Sequence, residues 1–344
     1  MAEDLTPRER VHMAMAHQRP DRPPRDFWAE KPAWNRLLKH LGHRDEQRVL
    51  RGLGIDLRHL NAVEPPEREV SPGVFQNFWG ERYVYDDTPW GPMRQDLPGA
   101  LSSAKDLSQV ESFAWPRGED LDYSGLPELC REFEPYALVY GAADIWQRAA
   151  LVRGWEAMFL DMAERPQWVE YITGVFTDFY IADYTRAAEV TNGRVDLFLI
   201  YSDLGSQHGP LMSPAMFRRF VAPNLRRMCE TVHALGAKVL FHSCGDVRLF
   251  IDDLIDLGVD VLDPIQPVSE GMSPESLAEA YRGRITFHGG IDMQNLLPRG
   301  TRAEIRAAVD RYCDVLGRDG GYILSPTHFF QPDVPPRNVL AVYE

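Results

Sequence analysis

The stretch Ala237-Lys-Val-Leu-Phe-His-Ser-Cys-Gly-Asp246 carries two readings at once. Val239, Leu240 and Phe241 form a short apolar run behind a break at Leu235-Gly236, the pattern of a buried strand. The strand ends in His242-Ser-Cys244-Gly245, and a helical pattern follows. A buried strand that hands over to a helix through a polar turn is the repeating unit of an α/β fold. A neutral imidazole and a thiolate two residues apart can also reach one zinc ion. Two ligands do not make a site, and most His-x-Cys pairs bind nothing, so the third ligand has to come from elsewhere in the chain.

The same alternation runs outward from this segment. Upstream, Ala137-Leu-Val-Tyr140 and Val195-Asp-Leu-Phe-Leu-Ile-Tyr201 read as strands. Between them lie helical patterns from Trp155 to Ala163 and from Pro166 to about Ala188. Ser213-Pro214 opens a helix in which Met216, Phe220, Leu225, Met228 and Val232 recur at helical spacing. Downstream, a helix at 247–257, a strand at 259–263, a helix from Ser273 and a strand over Arg284-Ile-Thr-Phe-His288 follow. Thr301-Arg-Ala-Glu304 is a capping box that opens a helix to about Leu316. Gly321-Tyr-Ile-Leu324 is the last strand, and a short helix runs from Pro335 to Glu344.

Short apolar strands that alternate with longer helices mean parallel βαβ units. Five or six are visible after residue 136, and earlier ones could complete eight. No Gly-x-Gly-x-x-Gly turn follows an early strand, which argues against a dinucleotide-binding fold. The expectation is therefore an α/β chain folded as a (β/α)8 TIM barrel, with 1–344 as one barrel domain. Its N-terminal part differs. Thr6-Pro-Arg-Glu9 is another capping box with Pro at the first helical position, and Arg19-Pro-Asp-Arg-Pro-Pro24 stops that helix. A second helix is expected from Lys31 to Leu41 and a third from Asp45 to Leu53. Residues 55–116 read as an elaboration on the barrel, with an aromatic hairpin over Phe75–Tyr85 broken at Gly80. That hairpin could serve as a lid or as an interface, for example of a homodimer.

The 344 residues carry 37 Lys+Arg against 51 Asp+Glu, a net charge of -14, which argues against nucleic-acid or anionic-membrane binding. No apolar run reaches the ~18 residues of a membrane span. The acidic opening Met1-Ala-Glu-Asp-Leu lacks the basic and apolar regions of a signal peptide, so a cytoplasmic location is expected. The cysteines at 130, 229, 244 and 313 form no framework; Cys229 and Cys313 lie on helices as packing residues.

In a (β/α)8 barrel the working residues sit at the C-terminal ends of the strands. Those ends carry Asp144, Tyr201 with Asp203 and Gln207, then His242, Cys244 and Asp246. Further on they carry Asp263 and Gln266, Asp292 and Gln294, and finally His328 and Gln331. His242, Cys244 and His328 would form a His2Cys set with an open fourth position, the pattern of a catalytic zinc. Asp203 and Asp292 are candidates for catalysis together with Gln207, or they are loop caps. Asp144, Tyr201, Gln294, Gln331 and Trp28 are candidates for holding a substrate. Trp28, Trp79, Trp146 and Trp155 also read as core, and His288 as a hydrogen-bonded wall residue.

The chain resembles the uroporphyrinogen decarboxylase superfamily, and within it the zinc- and corrinoid-linked methyltransferase-like branch. The matching stretches are Thr6-Pro-Arg-Glu-Arg10 leading to Arg19-Pro-Asp-Arg-Pro23, Asp203-Leu-Gly-Ser-Gln207, Phe241-His-Ser-Cys-Gly245, Gly289-Gly-Ile-Asp292, and Ser325-Pro-Thr-His328 with Asn338. The resemblance implies a barrel and, in the decarboxylase itself, cofactor-free chemistry with an arginine-rich N-terminal segment that grips carboxylates. Here that region reads Arg25-Asp-Phe-Trp-Ala-Glu30, with one arginine and two acids. The methyltransferase branch implies a zinc held by His-x-Cys and a distant Cys. Counting back from Asn338, the distant position falls on His328, where imidazole replaces the family's thiolate. The implied activity is methyl transfer between a small methylated substrate, or a thiol, and a corrinoid (cobalamin) on a partner protein. Asp203, Gln207, Asp292 and Gln331 would position the substrate, and Asp246 would support a ligand. The alternative is uroporphyrinogen decarboxylation itself.

Overall fold

The computed structural model describes residues 5–89, 91–267, 269 and 271–344, so most of the acidic opening lies outside the described residues. Seven parallel strands form one sheet in chain order: β1 (Leu57–Leu60), β2 (Ala137–Asp144), β3 (Leu197–Tyr201), β4 (Lys238–His242), β5 (Val261–Ile265), β6 (Thr286–Gly289) and β7 (Tyr322–Ile323). Helices connect each consecutive pair from β2 onward, as the sequence pattern requires of parallel neighbours.

The β1 strand is a correction to the reading of 55–116 as pure elaboration. Its four residues are too short and too close to the aromatic stretch to show a period of their own. Parallel pairing with β2, Leu57 opposite Ala137 through Leu60 opposite Tyr140, makes it part of the main sheet.

The two edges of the sheet are linked by residues 24–26. The Leu324 N–H donates to the Pro24 carbonyl at 2.8 Å and the Asp26 N–H to the Leu324 carbonyl at 2.9 Å. On the other side the Asp56 N–H donates to the Arg25 carbonyl at 2.8 Å. The Pro23-Pro24 pair keeps this segment extended, as read from sequence. Charges then fix its place. Buried Asp56 accepts from Arg10 at 2.7 Å, from Arg22 at 2.7 and 3.0 Å, and from the Arg25 N–H at 2.8 Å. Arg10 also grips Asp21. The two N-terminal motifs are thus one clamp that holds 24–26 against β1.

Three helices frame this clamp: α1 (Pro7–Met15), α2 (Lys31–Leu41) and α3 (Glu46–Gly52). In α1 the Thr6/Glu9 capping box is formed in both directions. The later box at Thr301/Glu304 is formed likewise. The helix expected across 213–232 is broken at Val221 into Pro214–Phe220 and Ala222–Ala234, because Pro223 cannot donate within a continuous helix.

The expected hairpin exists and is larger than expected. Arg68–Ser71, Val74–Gln76, Arg82–Thr88 and Gly91–Leu97 form a four-stranded antiparallel sheet, with Phe75 opposite Tyr83. Trp79 and Trp146 are buried, as expected for core, whereas Trp155 is 36% exposed at a helix start and is not core. No described helix is long and apolar enough to cross a membrane.

Both faces of the parallel sheet are buried, so its strands read as continuous apolar runs rather than alternating ones. The inner face packs Leu57, Val139, Leu199, Leu240, Val261 and Ile323 around Val11 and Trp28. The outer face sends Leu138, Phe198, Phe241, Leu262 and Phe287 into the larger core beneath the helices. This parity decides which strand-end residues face inward. Two positions beyond an inner-face residue is again inner face. Tyr201 follows Leu199, His242 follows Leu240, Asp263 follows Val261 and His59 follows Leu57.

Candidate metal centre

His242 is the last residue of β4, and the turn behind it is held at every backbone donor. The Ser243 N–H donates to the Asp263 carbonyl at 2.7 Å. The Cys244 N–H donates to Asp203 Oδ1 at 2.8 Å, and the Gly245 N–H to Gln266 Oε1 at 3.0 Å. Ser243 Oγ accepts from the Leu204 N–H at 2.9 Å. Two glycines allow the adjoining turns to touch backbone to backbone. A Cβ on Gly245, at φ +83, would lie 2.3 Å from the Gly205 carbonyl carbon, and one on Gly205 would lie 2.5 Å from the Asp246 oxygen. The glycines that end Asp203-Leu-Gly205 and His242-Ser-Cys-Gly245 are therefore both required by this single approach.

The donor atoms of His242, Cys244 and His328 all lie within 4.8 Å of one another. Tetrahedral ligands at ~2.0–2.1 Å (N) and ~2.3 Å (S) from zinc are separated by about 3.6 Å. The His242 Nε2 to Cys244 Sγ distance is 3.5 Å, so this pair already stands at bonding separation. The set is one soft sulfur and two imidazoles, and it fits zinc with one position left for a substrate.

His242 presents Nε2 because its other nitrogen is taken. Nδ1 lies 2.5 Å from Asp263 Oδ2. Burial opposes the charged carboxylate of Asp263, yet the flanking imidazoles His288 and His242 hold its carboxyl well below the usual range. It is thus an acceptor, and Nδ1 donates. Burial likewise disfavours a charged His242, but the Asp263 carboxylate outweighs it and raises the imidazole to about 10. His328 is shifted the other way: burial and then the charge on His242 lower it, which keeps a neutral ligand nitrogen.

The Asp263 carboxylate also reaches His288, whose Nδ1 lies 2.5 Å from Oδ1. His288 Nε2 lies 3.0 Å from Asp26 Oδ2, and Asp26 in turn receives His59 Nε2 at 3.0 Å and the Trp28 indole N–H. A row of alternating imidazoles and carboxylates therefore runs from the candidate metal centre across the sheet to β1, buried from His242 to Asp26 and ending at the partly exposed His59.

Aromatic rings wall the centre. The Tyr201 ring lies 4.2 Å from that of His242, and Trp28 is stacked 6.4 Å from it. Phe329 lies 5.1 Å from both Trp28 and His328. Asp144 is in register with Tyr201, and Tyr201 with His242. Burial, opposed by Arg148, raises the Asp144 carboxyl to about 7. Asp203 sits between these groups; its Oδ2 accepts from Gln147 Nε2 at 2.8 Å while Oδ1 holds Cys244.

Of the residues singled out from sequence, His242, Cys244, His328, Tyr201, Trp28, Asp203 and Asp144 gather here. Asp292 caps a turn, accepting from the Gln294 and Asn295 N–H groups at 2.7 and 3.2 Å. Gln207 and Gln294 are exposed. Gln331 donates to the Phe329 carbonyl at 3.4 Å. The carboxylate that supports a ligand is Asp263; Asp246 instead accepts from the Arg248 N–H at 3.0 Å. The sequence brought Asp263 forward only as a strand-end residue, with Asp246 as the expected support, and did not bring forward Asp26, His59 or Phe329. Inner-face parity along β1 and β5 would have found His59 and shown that Asp263 faces inward.

A family model for uroporphyrinogen decarboxylase (URO-D) matches residues 145–344. The chain belongs to the uroporphyrinogen decarboxylase family. A uroporphyrinogen decarboxylase of Thermus thermophilus is 31% identical over 134 residues, 39% of this chain and 37% of that protein. One from Xanthomonas euvesicatoria pv. vesicatoria is 26% identical over 187 residues, 52% of this chain and 49% of that protein. The chain thus matches half or less of the length of these decarboxylases. A methyltransferase from Methanosarcina mazei superposes with a TM-score of 0.67 at 16% identity, covering 98% of this chain and 97% of that one, which establishes a shared fold. Proteins of two different chemistries thus share this chain's fold, and the residues at the centre have to separate them.

Proposed function

We propose that this chain is a zinc-dependent methyltransferase that moves a methyl group between a small methylated substrate, or a thiol, and a corrinoid carried by a partner protein. The observation that carries the reading is the His242/Cys244/His328 donor set, with Nε2 and Sγ at 3.5 Å and Asp263 behind His242. Residues 24–26 would close the seven strands into the (β/α)8 barrel of the family, with this centre at its mouth.

Zinc bound there supplies Lewis acidity toward the substrate heteroatom. Asp263 keeps the His242 ring turned so that Nε2 faces the centre. Asp203 fixes the Cys244 backbone and so the direction of its sulfur. Trp28, Tyr201 and Phe329 present apolar faces that exclude water from the reacting atoms. Asp144 is placed to hold or give up a proton near neutrality. With imidazole where the methyltransferase branch has a second thiolate, the centre carries one more positive charge. That favours an oxygen or weakly basic donor over a thiol.

The decarboxylase reading is favoured by the relatives' names, but the residues argue against it. The Arg25 guanidinium donates to the Leu53 and Tyr343 carbonyls at 2.9 and 2.7 Å, so it is spent on structure. Asp26 beside it is fully buried and ionised among histidines. A polycarboxylate would meet Asp144 and Asp203, and Arg148 beside Asp144 is paired with Glu81 at 3.0 Å. The test is metal content of the purified protein and of Cys244→Ala, with cobalamin spectra during turnover. A protein without zinc, or a variant unchanged in both metal and activity, ends this reading. Coproporphyrinogen formed from uroporphyrinogen would establish the other.

A further inference from the structure

His288 is not among the donors of the candidate metal centre, yet one carboxylate connects it to His242. Its side chain is 1% exposed, and both ring nitrogens face carboxylate oxygens, Asp263 Oδ1 at 2.5 Å and Asp26 Oδ2 at 3.0 Å. An ionised carboxylate only accepts, so a ring between two of them must donate from both nitrogens, which the imidazolium alone can do. Two buried carboxylates facing one ring are tolerated only with a cation between them. Neighbouring imidazoles share these carboxylates: His242 lies on the other oxygen of Asp263, and His59 lies 3.0 Å from both oxygens of Asp26. Asp263 faces His288 from β5 and Asp26 from the 24–28 segment, and the Trp28 ring lies 6.0 Å away.

We propose that His288 is a fixed buried imidazolium that acts through Asp263 as a positioning and charge-setting residue, lowering the affinity of the His242/Cys244/His328 centre for zinc, with Asp26 as its counterweight. The proposal rests on reading those three residues as metal ligands. The physical logic is a sharing of charge. The Asp263 carboxylate serves two imidazoles, so the part neutralised by His288 is not available to His242. A weaker donor behind His242 leaves a more electrophilic metal. Asp26 draws His288 the other way and limits the effect.

Two measurements test it. In the zinc-loaded, 15N-histidine-labelled protein at about pH 8.5, some two units above the ordinary imidazole pKa of ~6.5, one histidine should keep both nitrogens protonated. That signal should vanish in His288→Gln. Zinc affinity, read at neutral pH by competition with a chromophoric chelator, should be about tenfold tighter in His288→Gln and about tenfold weaker in Asp26→Asn. A purely structural role would weaken both. Absence of the imidazolium signal, or zinc affinities that shift in the same direction, overturns the proposal. Should neither variant fold, the spectrum of the unsubstituted protein decides. Absence of zinc from the purified protein would overturn the metal reading itself, while loss of one doubly protonated histidine signal from metal-free His288→Gln would still report the charge on His288.

Discussion

Replacing Asp263 with asparagine is the sharpest probe of the centre. The carboxylate accepts from two buried rings at 2.5 Å each, one per oxygen. Asparagine keeps one oxygen and presents an amide N–H2 in place of the other. Whichever way it turns, one ring N–H faces a donor. If His242 loses its acceptor, its tautomer and tilt are no longer set, and zinc affinity should fall 10–100-fold, ~1.4–2.7 kcal/mol. If His288 loses it, a buried imidazolium is left short of a counter-charge, and the protein should lose ~3–5 kcal/mol. With an unfolding entropy of ~2.1 cal/mol/K per residue over this chain, that is a drop of about 4–7 °C in Tm. Competition with a chromophoric chelator and differential scanning calorimetry read the two effects. Asp246→Asn is the control, since its carboxylate caps the Arg248 N–H instead of holding a ring of the centre. Zinc affinity of Asp263→Asn within twofold of the parent together with an unchanged Tm would refute the support role, as would equal losses in Asp246→Asn.

Three further outcomes are expected. Gly245→Ala should displace the Cys244 turn, because its Cβ would sit 2.3 Å from Gly205 at φ +83; both metal retention and Tm should fall, by ~1–3 kcal/mol in stability. Cobalt(II) substitution should give a thiolate-to-metal charge-transfer band that disappears in Cys244→Ala and strengthens in His328→Cys; a band indifferent to position 328 would exclude that residue as a ligand. Asp183, buried in the 166–190 helix, accepts from Tyr140 and Tyr123 at 2.7 and 3.1 Å, and burial raises its carboxyl to about 6. The folded protein then binds a proton that the unfolded chain, at ~3.9, has released, so stability should fall as pH rises from about 4 to about 6 and level off above. Melting temperatures of Asp183→Asn across that window should be flatter; an unchanged slope would assign the effect elsewhere.

How much of this could be read in advance depends on the range of the interaction. Both capping boxes were legible because Thr6 with Glu9, and Thr301 with Glu304, satisfy one another within a single turn. The strand 238–242 was legible to the residue, since an apolar run buried on both faces needs no partner to be recognised. The β1 strand was not, because four residues carry too little pattern and only pairing with β2 defines them. Trp155 was misread as core because hydrophobicity alone does not say which side of a helix start meets solvent.

For the centre itself, the order of residues was enough to bring forward His242, Cys244 and His328 as donors at strand ends. The identity of their support was decided by the tertiary structure. Asp26, Asp263, His288 and His59 come from three different strands and an N-terminal segment, and nothing in their local spacing relates them. What brings them together is inner-face parity across the parallel sheet and the arginine clamp on Asp56 that holds residues 24–26 between its edges. Local sequence can specify which atoms are able to bind a metal. Which of them are held ionised, and in what direction each ring points, depends on buried charges that only the closed fold places within hydrogen-bonding reach.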